Sequence, residues 1–144
     1  MPCVRWATED ALLAEAIVYI DHSEIRPGKL EELKRGITEL VEFVHAHEPQ
    51  LILYAFYIDE ENSSMTVVAV HPDSASMELH MRIGGPEFRK LAHFIDLRLI
   101  EVCGEPSGTV LHQLHEKAQM LGEYGRVDVH AFHAGFARLP AADR

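Results

Sequence analysis

Residues 71–88, HPDSASMELHMRIGGPEF, punctuate the middle of the chain and decide how the rest of it is organised. The stretch closes an apolar run, opens a short helical segment that carries His80, and breaks at Gly84-Gly85-Pro86. Pro86 suits the first position of the next helix, because its missing N–H has no helical partner there. The residues before the stretch must therefore supply one half of a small sheet, and those after it a return strand.

Upstream, Ala16–His22 (AIVYIDH) is rich in β-branched and aromatic residues and stops before Pro27-Gly28, which predicts a first strand. From Pro27 onward Leu30, Leu33, Ile37, Leu40, Val41 and Val44 recur at intervals of three and four, with charged residues between them, so a long amphipathic helix is expected up to the stop at His45–Pro49. Leu51–Ile58 and Met65–His71 are apolar at both parities, and the polar DEENSS between them predicts an antiparallel hairpin. Downstream, Phe88, Leu91, Ala92 and Ile95 predict a helix from Pro86, with a strand over Leu99–Cys103 after it. The order strand, helix, strand, strand, helix, strand is the ferredoxin-like split βαβ arrangement, an α+β fold with helices on one face of an antiparallel sheet.

Both parities of the central hairpin are apolar, whereas one helix layer covers only one sheet face. The uncovered face predicts a second sheet from a second copy of the chain, a homodimer closing as a dimeric α+β barrel. Beyond this core lies a C-terminal helix–strand extension. Ser107 is placed to cap a helix carrying Val110, Leu111, Leu114, Ala118 and Leu121, Gly122 to end it, and Arg126–Phe136 to form a strand. At the other end, Thr8-Glu9-Asp10 could cap a short helix over Ala11–Leu13, near the only tryptophan, Trp6. At 144 residues the whole reads as a single domain, with a core over 15–104 and the extension over 105–139.

A 47% hydrophobic, 25% charged composition is that of a folding chain, and no apolar run approaches a membrane span or a signal peptide, so a cytoplasmic protein with no membrane partner is expected. Cys3 and Cys103 read as free thiols rather than a disulfide framework. The formal charge of −10, with no basic run longer than Arg89-Lys90, argues against nucleic acid.

Four short segments carry a family resemblance. They are Pro27-Gly28-Lys29 after strand one, His47-Glu48-Pro49 before strand two, Ser76-Met77-Glu78-Leu79-His80 on the short helix, and Pro86-Glu87-Phe88 opening the next. In their order and spacing, over roughly residues 15–104, the chain resembles the antibiotic biosynthesis monooxygenase (ABM) family of dimeric α+β barrel proteins. The resemblance implies a cavity between sheet and helices for an aromatic polyketide or quinol, oxidised in some members by oxygen with neither metal nor flavin. It also implies a homodimer. The chain departs from the haem-degrading branch: Asp21 stands in the place of a strand-one asparagine, His71 in that of a tryptophan closing strand three, and His93 falls one residue beyond the register of that branch's helix histidine; Glu87 also stands where the family usually has a histidine between the helix-opening proline and phenylalanine. No cofactor is therefore expected.

The candidate proton-handling residues are His71 and Asp21. His71, at a strand end on the parity of Val67 and Ala69, could orient or deprotonate a phenol, or could simply bond a turn. Asp21 shares its parity with Ile17 and Tyr19, so on a cavity-lining face it would be a partly buried carboxylate with a raised pKa, and at a solvated strand end an ordinary aspartate. Tyr19, Tyr54, Phe56, Tyr57 and His80 are candidate substrate-binding residues; Tyr54, Phe56 and Tyr57 place an aromatic on either face of strand two, which equally suits a core. His112 and His115 share a helix face but lack further ligands, and His130 and His133 differ in parity, so no metal site is expected. Two functions fit these residues: a cofactor-independent monooxygenase or oxidase for a small aromatic substrate, or a ligand-binding or structural barrel without catalysis.

Overall fold

In a computed structural model of the chain, residues 14–138 are described. Strand β1 (Ile17–Ile25) is followed by helix α1 (Leu30–His47), the hairpin β2 (Leu53–Asp59) and β3 (Ser64–His71), helices α2 (Ser74–Ile83) and α3 (Gly85–Arg89), a 3-10 turn (Lys90–His93) and β4 (Ile95–Cys103). Helix α4 (Gly108–Leu121) and strand β5 (Arg126–His130) complete it. The sheet order is β2-β3-β1-β4-β5, antiparallel throughout the first four strands, with β5 parallel to β4. This is the split βαβ order with one strand added at an edge. The extension thus covers the β4 edge. The segments assigned to Trp6, Thr8-Glu9-Asp10 and Cys3 lie outside the described residues.

Two expected boundaries move, each for a local reason. Helix α1 starts at Leu30 rather than Pro27, because Gly28 has φ +77°, and Lys29 N–H donates to Arg26 C=O at 3.1 Å. Pro27-Gly28 is therefore the centre of a turn whose third position favours glycine. Strand β4 starts at Ile95, a residue expected in the preceding helix, rather than at Leu99. A bulge opposite His22/Ser23 inserts Arg98, so that Ile95, Leu97, Ile100 and Val102 all face the helices. The extra residue breaks the two-residue alternation that would have marked a strand, and Leu91, Ile95 and Leu99 imitate helical spacing.

At the C-terminal end β5 stops at His130, well before Phe136. Ser107 Oγ accepts from Val110 N–H at 3.1 Å, capping α4 as its sequence implies. Gly122 ends that helix in an extended conformation, against the carbonyl of Leu97, where a Cβ would stand only 2.0 Å from the oxygen.

One apolar core lies between the sheet and the helices, with Ile17, Leu33, Met65, Met77, Leu91, Ile95 and Leu114 fully buried in it. The opposite sheet face has no covering layer among the described residues. Its rows, read across β2, β3, β1 and β4, are Leu53–Val70–Val18–Cys103, Ala55–Val68–Ile20–Glu101 and Tyr57–Thr66–His22–Leu99. That face is apolar toward β2 and turns polar toward β4 and β5. Leu53 is 40% and Tyr57 58% exposed. Among the described residues, no helix is long and apolar enough to cross a membrane.

Candidate functional site

The rows on the covered face build the site. Tyr54, Ala69 and Tyr19 form one row across β2, β3 and β1; Phe56, Val67 and Asp21 form the next, and His71 lies opposite Ile17 at the end of β3. Small residues, Ala69 and Val67, separate the larger ones, leaving depth beneath the helices. Tyr19, Asp21 and His71 are buried at 3%, 0% and 0% exposure. Asp21 is thus not at a solvated strand end, and His71 is not at the surface.

Lys117 of α4 reaches down onto this floor, crossing the Phe88 ring at 3.8 Å from its centroid. Its Nζ donates to Tyr19 Oη at 2.7 Å and lies 3.4 Å from Asp21 Oδ2, while Tyr19 O–H donates to the same Oδ2 at 2.5 Å. Burial raises the Asp21 carboxyl above its ordinary range, opposed by Lys117 and the Tyr19 hydrogen bond. Burial likewise pulls the Lys117 ammonium down, opposed by Asp21, and pushes the Tyr19 phenol well up, so that Tyr19 stays protonated as a donor. The result is a chain from Lys117 through Tyr19 to Asp21 along which a proton can be held or moved.

The second polar group is a pair of histidines. His71 Nδ1 shares a hydrogen bond with Ser76 Oγ at 2.7 Å, and its burial lowers its pKa to about 3, with His80 contributing. At neutral pH it is an uncharged ring. His80 Nδ1 lies 2.8 Å and 3.0 Å from the two oxygens of Glu48, whose side chain is fully buried. The rings of Tyr54 and His71 stand 5.2 Å and 5.4 Å from that of His80. Tyr54 also packs edge-on against Phe56, and Phe56 stacks on Phe88.

Three buried polar atoms of this floor have no hydrogen-bond partner among the described residues: Asp21 Oδ1, Tyr54 Oη and His71 Nε2. Buried polar groups are normally satisfied, and leaving one unpaired costs about 1–3 kcal/mol. A cavity of about 200 Å³ lies above, between α2, α3 and α4, and Lys117, His80 and Phe88 are part of its lining. Lys117 and His80 therefore connect the cavity to the floor.

Of the candidate residues, Asp21, His71, Tyr19, Tyr54, Phe56 and His80 are brought to one side of the sheet. Tyr57 is not: its parity places it on the open face, on the opposite side of the sheet from the others. His112 lies on the exposed side of α4, paired with Glu116 at 3.0 Å. Sequence reasoning missed Lys117 and Glu48. Lys117 carried a legible signal, since Val110, Leu114, Lys117 and Leu121 share helical spacing and a lysine on a buried stripe calls for a partner. Glu48, ahead of Pro49 at a helix end, had none.

No protein-family model matches the sequence, and no curated protein matches it. Solved structures do match in fold. MupZ from Pseudomonas fluorescens superposes with a TM-score of 0.67 at 17% identity, over 86% of this chain and 95% of that one. A coverage of that size cannot be reached by residues before 105 alone, so it takes in part of the C-terminal extension. A conserved protein from Methanosarcina mazei Go1 (TM-score 0.57, 21% identity) and SnoaB, a cofactor-independent oxygenase from Streptomyces nogalater (TM-score 0.55, 13% identity), each cover 65% of this chain and 96% of their own. The chain therefore has the ferredoxin-like α+β fold of these structures, its four-stranded core extended by a helix and a strand.

Proposed function

We propose that the protein is a cofactor-independent monooxygenase or oxidase that deprotonates a small aromatic substrate, a quinol or a polyketide-like phenol, and lets the resulting anion react with oxygen. The observation that carries this reading is the fully buried Oδ1 of Asp21, which has no hydrogen-bond partner among the described residues. The other oxygen of the same carboxylate is occupied by Tyr19 and Lys117, so Oδ1 is left to accept a hydroxyl proton from a bound ligand. A raised carboxyl pKa brings the base closer to neutral pH, where general-base catalysis is most effective. Lys117 then balances charge as the substrate anion forms. His71 Nε2 and Tyr54 Oη, neutral and likewise unpartnered among the described residues, supply one acceptor and one donor for further polar atoms of the ring system.

Two further features support the reading. Phe56 and Phe88 offer flat apolar surface, and a cavity of about 200 Å³ lies below the roughly 300–1,000 Å³ of typical ligand pockets, which favours a small ring system. SnoaB, with the same core fold, is a cofactor-independent oxygenase. The homodimer belongs to this proposal as well: the half-apolar sheet face bearing Leu53, Tyr57, Val18, Val68 and Val70 is the surface that a second sheet would cover.

Oxygen uptake with a panel of naphthols and quinols tests the reading. The wild-type chain should consume oxygen with at least one of them, and Asp21→Asn should lower kcat by about 100-fold or more while the chain remains folded. Stabilisation by those compounds in a thermal shift without any oxygen uptake would instead identify a binding protein.

A further inference from the structure

Two cavities meet the His80–Glu48 pair. His80 lines the one of about 200 Å³ that also reaches Lys117. A second, of about 160 Å³, is lined by Val44, Glu48, Leu51 and Tyr54. Glu48 belongs to the second and His80 to the first, and the two residues meet through His80 Nδ1 and both carboxylate oxygens. The junction is built against bare backbone: a Cβ on Gly84 would stand 3.0 Å from Glu48 Oε2 and 3.0 Å from His80 Nδ1.

A carboxylate facing one ring nitrogen determines which tautomer the neutral imidazole adopts. With Nδ1–H donating to Glu48, the lone pair is on Nε2, at the far side of the ring from Glu48, and Nε2 makes no hydrogen bond to a described residue. His71 is arranged differently. It bonds a neutral serine and has lost the capacity to take a proton near neutral pH. The two histidines thus divide the work, His71 as a neutral acceptor and His80 as a ring held by a buried carboxylate at a cavity wall.

We propose that His80, oriented by Glu48, is a second proton-accepting group of the site, taking the second hydroxyl proton when the substrate is a quinol. This rests on the oxidation reading. One hydroxyl proton passes to Asp21 Oδ1 and the other to His80 Nε2, and the electron pair of each broken O–H bond stays on its oxygen. Two electrons then pass from the substrate to molecular oxygen, which takes up the two protons as hydrogen peroxide and leaves the quinone. His80 is a catalytic residue in this step beside Asp21, and Glu48 is its positioning residue. The charged or titratable groups against His80 are Glu48 from the end of α1, Tyr54 from β2 and His71 from β3, and Arg89 of α3 and Glu116 and Lys117 of α4 line the same cavity.

The test has two arms on the full-length chain. Long-range proton–nitrogen NMR at pH 8, with His80 assigned through His80→Gln, should show a protonated Nδ1 and a bare Nε2. A proton on Nε2 overturns the role of His80, whether or not the protein consumes oxygen. In the second arm oxygen uptake is measured with 1,4-dihydroxynaphthalene. His80→Gln should lower kcat by about 100-fold or more, the usual scale of one acid–base group. Glu48→Gln should lower kcat less than His80→Gln does and, in the proton–nitrogen spectrum, replace the single Nδ1-protonated form of His80 by a mixture of the two tautomers, because the ring keeps its Nε2 but loses the carboxylate that orients it. Wild-type kcat in a His80→Gln chain of unchanged circular dichroism overturns the proposal. A bare Nε2 with no oxygen uptake by the wild-type protein overturns the oxidation reading and the second proton transfer with it.

Discussion

Replacing Lys117 by methionine tests the centre of the site most directly. The substitution keeps the length of the side chain and its packing over Phe88, and removes the cation that stands 3.4 Å from Asp21. At that separation and an effective dielectric constant of about 20, the attraction lost is about 5 kcal/mol gross, offset in large part by no longer having to desolvate an ammonium. What remains is a carboxylate at 0% exposure with no counter-ion, which will take up a proton instead. From its ordinary value of 3.8, protonating it at pH 7 costs about 4 kcal/mol, at 1.36 kcal/mol per unit, and at pH 5 under about 2 kcal/mol. A carboxyl whose folded pKa lies above its unfolded one stabilises the fold at low pH and loses that contribution as pH rises. Lys117→Met should therefore cost up to about 4 kcal/mol at pH 7 and markedly less at pH 5. Adding Asp21→Asn should recover most of the loss and remove its pH dependence. Urea denaturation at both pH values, at fixed protomer concentration, measures all four corners of the cycle. Penalties that add within about 0.5 kcal/mol, or a Lys117→Met penalty equal at the two pH values, would refute the coupling of Lys117 to Asp21.

The remaining expectations concern other parts of the fold. His71, lowered to about 3, must stay neutral to be folded while its unfolded counterpart charges below 6.5, so it should remove about 2 kcal/mol of stability between pH 7 and pH 5; His71→Gln should lose that difference in urea midpoints. Gly122→Ala should destabilise the chain by more than about 2 kcal/mol and expose the extension to limited proteolysis, because its Cβ would collide with the Leu97 carbonyl. Light scattering at micromolar concentration should give twice the chain mass of 16.3 kDa, and Tyr57→Asp, charging the open sheet face, should shift it toward the monomer; a wild-type monomer would refute the barrel.

Sequence by itself determined the order of elements and, for α1 and α4, which face each buries, because hydrophobic periodicity is a local property of the chain. The α1 stripe, the antiparallel hairpin, the Ser107 cap and the two-sided apolar hairpin are all local patterns of this kind. It also singled out Asp21 and His71 through their parity with Ile17, Tyr19, Val67 and Ala69, but left open a solvated strand end for the one and a turn contact for the other, and the fold decided for burial. Local pattern failed where a partner altered it: the Arg98 bulge, which exists only because β4 pairs with β1, made the start of β4 resemble a helix. It could not decide which parity of β2 faced the helices, and so could not separate Tyr54 and Phe56 from Tyr57. Only the tertiary structure joined Lys117 to Tyr19, 98 positions apart, and Glu48 to His80, 32 apart. Those pairings depend on how α4 and the end of α1 dock over the sheet. The energy that holds such a charge in place comes from partners distant in sequence, which no periodicity encodes.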